Sequence, residues 1–219
     1  MEMNTAVTRS QEAILQTNKV IKNTYILLSM TLIFSGLMAF VGVISGIGHG
    51  VALIASIAAI AMLWFVLPRT ANTGAGIPVI FAITGLLGFG LGPVLSFYLS
   101  VNPSIVMTAL GGTGAIFLGL SGYALTTRKD FSFLGGFIFV GMLVVLGAAI
   151  LNIFMGIPAL FLALNAAIIL IMSAFILWET SSLIHGGETN YIMATAGLFL
   201  SILNIFQALL HLLGAFSDD

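Results

Sequence analysis

The sequence predicts an all-α membrane protein, a bundle of seven transmembrane helices. Three observations predict it. Residues 23–68, 70–127, 131–178 and 189–217 contain no Asp, Glu, Lys or Arg, in runs of 46, 58, 48 and 29 residues. A membrane-spanning helix needs roughly 20 apolar residues, so each of the first three runs holds two spans and a turn, and the last holds one. The chain is also 60% hydrophobic and only 6% charged, far from the ~25% charged residues of soluble domains. Finally, strand alternation is absent, and backbone polar groups in lipid must bond within their own segment, which leaves helix as the spanning state.

The elements follow in order. Helix one is expected at 25–46, after the charged segment that ends at Lys22, and it closes at Gly46-Ile47-Gly48-His49-Gly50. Helix two, 50–67, runs from that glycine turn to Arg69. Helix three, 77–99, carries Gly88 and Gly92, a GxxxG pair that lets a neighbouring backbone approach. The turn Asn102-Pro103-Ser104 opens helix four, 104–126, where Gly111, Ala115 and Gly119 continue a face of small residues. Arg128 and Lys129 separate it from helix five, 132–154. Gly156-Ile157-Pro158 opens helix six, 157–180, and the Gly186-Gly187 break precedes helix seven, 191–213.

All six basic residues fall on one side of this layout: Arg9, Lys19 and Lys22 before helix one, Arg69 after helix two, Arg128 and Lys129 after helix four. The positive-inside rule then puts the N-terminus in the cytoplasm and the C-terminus outside. The expected organisation is a cytoplasmic tail at 1–24, a bundle at 25–214 and a short periplasmic tail at 215–219. No internal repeat, second domain or removable signal peptide is read. A net charge of −1 provides no basic face for nucleic acid. The absence of cysteine excludes disulfides, thiolate metal sites and cysteine nucleophiles. No cofactor, metal or enzymatic activity is expected.

Polar residues inside the membrane are the functional candidates. Glu179 is the one ionisable residue placed within helix six, about six residues before the glycine break and so roughly 9 Å inside it. An ionised carboxylate at mid-membrane costs about 3 kcal/mol or more, and keeping one protonated at neutral pH costs a similar amount. Three readings therefore stand: a protonated acid, an acid paired with Arg69, or a side chain that reaches interfacial water. On helix seven, Gly197, Ser201, Asn204, Ala208 and His211 recur at spacings of four, three, four and three and share one face. Asn165 and Glu179, fourteen residues apart, share a face of helix six. Two such faces either line a polar seam or act as interhelical hydrogen-bond glue.

Three motifs resemble catalytic signatures and fail on geometry. Gly119-Leu120-Ser121-Gly122 has the GxSG form of an intramembrane serine protease, and a nucleophilic serine needs a base within about 3 Å. His211 lies about twenty residues along helix seven, roughly 30 Å from the end where Ser121 sits. His185 with Glu188 in the last loop lacks the ligands of a metal site. Gly88-Phe89-Gly90-Leu91-Gly92-Pro93 follows no strand and is no phosphate loop.

That last segment, extended through Val94-Leu95 and followed by Ala109, Thr113 and Ala115-Ile116-Phe117, resembles the signature of the Bax inhibitor family of membrane proteins. Lys19–Tyr25, Thr126–Gly136 and Glu179–Tyr191 are closer to its bacterial YccA branch, and the likeness runs from about residue 10 to the end. The resemblance implies a central helix seven wrapped by the other six. It also implies a partner, a membrane-anchored AAA+ zinc protease of the inner membrane, whose attack on other membrane proteins is restrained. In other relatives an acid pair on helices six and seven, with a basic latch on helix two, makes a pH-sensitive leak for calcium or protons. Glu179 matches the first acid and Arg69 the latch. The second acid falls at Ser201, which is not acidic, so no shared-proton pair exists to titrate. For the protease reading, the mixed-charge tail carrying Arg9, Lys19 and Lys22 is the expected handle, with Ser10 capping a short helix through Ile14 and Ile21. The alternative is a plain topogenic leader.

Overall fold

In the computed structural model, residues 2–217 are described, with side chains from Leu15 onward. The described residues form seven helices long and apolar enough to cross a membrane. We number them α1 (Glu2–Ile44), α2 (His49–Thr70), α3 (Gly76–Val101), α4 (Pro103–Thr127), α5 (Leu134–Met155), α6 (Pro158–His185) and α7 (Tyr191–Phe216). Two are irregular. A π-helical turn at Met62–Val66 interrupts α2, and α3 breaks at Leu91 between Gly90 and Gly92.

The helix ends follow their local chemistry. Asn102 caps α4, its side chain accepting from Ser104 N at 3.0 Å, with Pro103 at the first helical position. Asn190 caps α7 by accepting from Ile192 N and Met193 N at 2.9 and 3.1 Å. Gly156 and Gly186 end α5 and α6 in the left-handed region, at φ 62° and 74°, where a Cβ would be strained. One expectation changes at the start of the chain. Backbone helix runs without interruption from Glu2 into the first span, so Ser10 is interior to α1 and not at a helix start. The side chains of Arg9, Ser10 and Ile14 lie outside the described residues.

Close packing of α1 against α3 is written in the predicted GxxxG pair. A Cβ at Gly88 would collide with the Ser35 carbonyl and hydroxyl, and one at Gly92 would lie 2.7 Å from the Gly42 backbone. The second predicted small-residue face is corrected. Nothing lies within 4 Å of a Cβ at Gly111 or Gly119, and both are exposed along with Ala115. The face of α4 that packs inward is instead Val106, Ala109 and Thr113. Helix α7 buries twelve residues whereas α5 buries only Ile138, so α7 supplies the core against α1, α3, α4 and α6 and α5 lies mostly exposed on the outside of the described bundle.

Candidate functional site

Helices α6 and α7 pack antiparallel in one register along their length. A Cβ at Gly197 would lie 3.7 Å from the carboxyl carbon of Glu179, and fourteen residues away in each helix His211 Nδ1 lies 3.1 Å from Asn165 Oδ1. The two polar faces read from the sequence therefore do oppose each other. They do not form one continuous polar line. Between Asn165 and Glu179 the same face of α6 carries Ile169, Met172 and Ile176. On α7, Ser201 donates to Gly197 O at 3.0 Å and Asn204 to Leu200 O at 2.8 Å, both within their own helix. The middle is apolar or self-satisfied, and polar contact between helices occurs near the two ends.

The end that carries the basic residues holds the larger assembly. Glu179, Thr24, Thr180, Thr195, Ser121 and Ser181 are all buried there. Counted along their helices, Glu179 and Ser121 lie six residues from the ends of α6 and α4, roughly 9 Å deep, and Thr195 four residues into α7. Thr195 Oγ1 donates to Tyr191 O at 2.7 Å and reaches Thr24 O at 3.3 Å, linking α7 to α1. The Tyr25 and Thr180 hydroxyls meet at 3.2 Å, linking α1 to α6. Ser181 Oγ accepts from Phe131 N at 2.9 Å, which docks the α4–α5 loop onto α6. Asn190, beyond capping α7, donates from Nδ2 to Ala71 O and Asn72 Oδ1 at 3.1 and 2.8 Å, tying the last loop to the α2–α3 loop. A polar cavity of about 270 Å³ lies between those two loops, lined by Asn72, Thr73, Thr189 and Asn190 among others.

Within this layer two groups stand without partners. The Ser121 hydroxyl is buried and has no hydrogen bond. Glu179, only 6% exposed, makes no hydrogen bond or ion pair with any described residue, but unlike Ser121 Oγ its oxygens keep some accessible surface. Its expected partner is elsewhere: Arg69 is exposed, and its Nη1 donates to Phe65 O on its own helix. The pairing of Glu179 with Arg69 is thus not formed, because the guanidinium folds back along α2 instead of reaching toward α6. Ser201 bonds only along its own helix. Lys19 and Lys22 lie on α1 before Thr24.

Outside the lipid, Asp130 accepts from Ser132 N at 2.8 Å, and this bond to the Ser132 backbone, then one to its side chain, holds the carboxyl below its ordinary value of 3.8. The catalytic decoys separate as expected. His211 is at the opposite end from Ser121, and His185 Nδ1 is engaged by Ser181 O at 2.8 Å. No group of three or more His, Cys, Asp or Glu able to hold a metal occurs among the described residues. Sequence reasoning missed the hydroxyl layer. Thr24 on α1 is far in the chain from Thr180, Ser181 and Thr195 on α6 and α7, and hydroxyl residues in spans can bond back to their own helix, so no local pattern marks them.

Comparison with known proteins extends over the whole chain. The family model described as inhibitor of apoptosis-promoting Bax1 matches residues 17–218. A membrane protein of Vibrio cholerae is 46% identical over 99% of this chain and all of its own length. The Escherichia coli K12 protein named modulator of FtsH protease YccA is 46% identical over the full length of both chains. An uncharacterized protein of Pseudomonas aeruginosa is 42% identical over all of this chain and 97% of its own.

Proposed function

Because this chain belongs to the Bax inhibitor family, we propose that it is a non-enzymatic, multi-pass protein of the bacterial inner membrane that binds and restrains a membrane-anchored, ATP-dependent zinc protease. The observation that carries this reading is the full-length likeness to a protein named as a modulator of FtsH protease. The gathering of the basic loops at one end supports placing that end, and the N-terminus, in the cytoplasm. The handle is the N-terminal segment with Arg9, Lys19 and Lys22, a helical extension continuous with α1. Pulling on it would load the α1–α3 contact, where Gly88 and Gly92 admit no added atom. Restraint then arises from competition: the protease engages the segment and stalls on a bundle it extracts slowly.

Crosslinking and pull-down from native membranes test this reading. The full chain should bring down the protease, and a chain lacking residues 2–20 should lose it while the bundle still folds. Absence of the protease from both captures would sink the proposal.

A second reading is favoured by one specific observation, the buried Glu179 without a partner. In this reading the carboxyl gates a cation or proton leak from the basic end, with Arg69 leaving Phe65 O to reach it. The apolar face of α6 at Ile169, Met172 and Ile176, and the replacement of the second acid by Ser201, weigh against it. In liposomes the leak reading requires that Glu179→Gln change pH-dependent ion flux; flux indifferent to the substitution removes it.

A further inference from the structure

At the end of the bundle without basic residues, α3, α4, α6 and α7 surround a cavity of about 310 Å³ whose lining includes Phe97, Tyr98, Phe161, His211 and Gly214. The imidazole there is fixed in one orientation and one tautomer. Asn165 Nδ2 donates to Phe161 O at 2.8 Å, so the amide oxygen is the atom facing His211 Nδ1 at 3.1 Å, and Nδ1 carries the proton. A neutral imidazole has one donor and one acceptor. Nε2 is therefore the acceptor, and among the described residues it has no hydrogen-bond partner.

Aromatic rings surround the imidazole. The Phe161 ring centroid is 5.1 Å from His211, Tyr98 is 6.4 Å from it, and Phe97 is 5.2 Å from Tyr98 in an edge-on arrangement. Gly214 makes the enclosure possible, since a Cβ there would collide with the Tyr98 ring. Charge is one-sided as well. The sequence has no Lys or Arg after Lys129, and the charges beyond Phe216 are Asp218 and Asp219. An anion would meet no basic side chain here. A cation with N–H groups would meet ring electron density and an acceptor. His211 lies five residues before the end of α7, roughly 8 Å from it, near the depth of lipid headgroups.

We propose that this cavity binds an alkylammonium group, seated among Phe97, Tyr98 and Phe161 with one N–H donated to His211 Nε2. Both the ethanolamine headgroup of a phospholipid and a free aliphatic amine carry that chemistry.

The test uses the full chain labelled with ¹⁵N-histidine, in detergent micelles at about pH 8, where imidazole is neutral and an aliphatic amine is charged. Three histidines are present, His49, His185 and His211, and His211→Gln assigns the third. Butylammonium should shift the His211 Nε2 resonance saturably and leave His49 and His185 in place, while butanol should not. Phe161→Leu should weaken binding roughly fivefold, the value of one lost ring contact; Phe97→Leu, at the exposed rim, makes the same test if the first variant unfolds. Nanodiscs then identify the source. A shift on adding phosphatidylethanolamine to phosphatidylglycerol bilayers assigns the headgroup, and a shift with butylammonium alone assigns a soluble amine. The proposal is overturned if butylammonium leaves the resonance unmoved, if butanol moves it equally, or if ring removal leaves affinity unchanged.

Discussion

The two ends of the α6–α7 pair share one register and differ in how their polar groups are satisfied. At the end without basic residues, Asn165 and His211 bond to each other, and Asn165 also bonds to Phe161 O. At the other end Glu179 faces Gly197 across the same helix pair, and among the described residues neither it nor Ser121 on α4 has a hydrogen-bond partner, Ser121 Oγ being fully enclosed. Burial of an unpaired polar group is destabilising, more so for a carboxyl than for a hydroxyl. The first end therefore contributes to folding, whereas the second carries a cost that the surrounding hydroxyl bonds and close helix packing must offset. Such a cost, at a buried hydroxyl and a largely buried carboxyl in one layer, marks that layer as shaped by something other than stability.

Substitutions can break this contrast. The largest effect is expected for Asn165→Leu, which leaves His211 Nδ1 buried without its acceptor. It should lower stability by about 1–2 kcal/mol, measured by reversible denaturation in mixed micelles. Glu179→Met should act in the opposite direction, raising stability by up to about 1 kcal/mol, because an apolar chain of similar length replaces a carboxyl that has no partner among the described residues. A loss instead would mean that Glu179 has a partner and that the two ends are alike. Ser121→Ala should be neutral or stabilising by a few tenths of a kcal/mol, since its hydroxyl bonds to nothing; thermal unfolding of the two chains side by side reads this.

The smallest effect sharpens the boundary of the basic end. Asp130 is held below its ordinary value by Ser132. A carboxyl with a lowered folded-state value contributes stability that is fully present above its unfolded value, and that is lost as pH falls through the folded one. Acid titration below about pH 4 should thus loosen the α4–α5 loop slightly in the parent chain, and less so in Asp130→Asn, with hydrogen exchange at Ser132 as the readout.

Much of this molecule was legible in its sequence because lipid makes simple demands. Charge-free runs of sufficient length had to be spans, and their glycine and asparagine breaks had to be turns. Predicted helix starts from α2 to α7 fall within two residues of those found. Helix α1 began early because helical backbone continues through the charged segment before Thr24, and α6 ran on to His185 because its polar last turn is anchored by Ser181 and His185. The facing stripes of α6 and α7 were legible too, since fourteen-residue spacing returns to one face of a helix. What the sequence could not supply was partnership. It offered Arg69 to Glu179 on the strength of membrane level alone, and the guanidinium turned back to Phe65 instead. Nor could it separate Gly88 and Gly92, pressed against α1, from Gly111 and Gly119, exposed on α4. Both sets have the same spacing, and only the rotation of each helix in the bundle distinguishes them.

The restraint claim is tested most directly by degradation of a second membrane substrate by the purified protease in proteoliposomes, with and without this protein. The account predicts that the full chain slows that degradation, that Glu179→Gln slows it equally, and that removal of residues 2–20 abolishes the effect. Degradation that proceeds at one rate with or without the full chain would contradict it, as would slowing that depends on Glu179 and survives loss of the N-terminal segment.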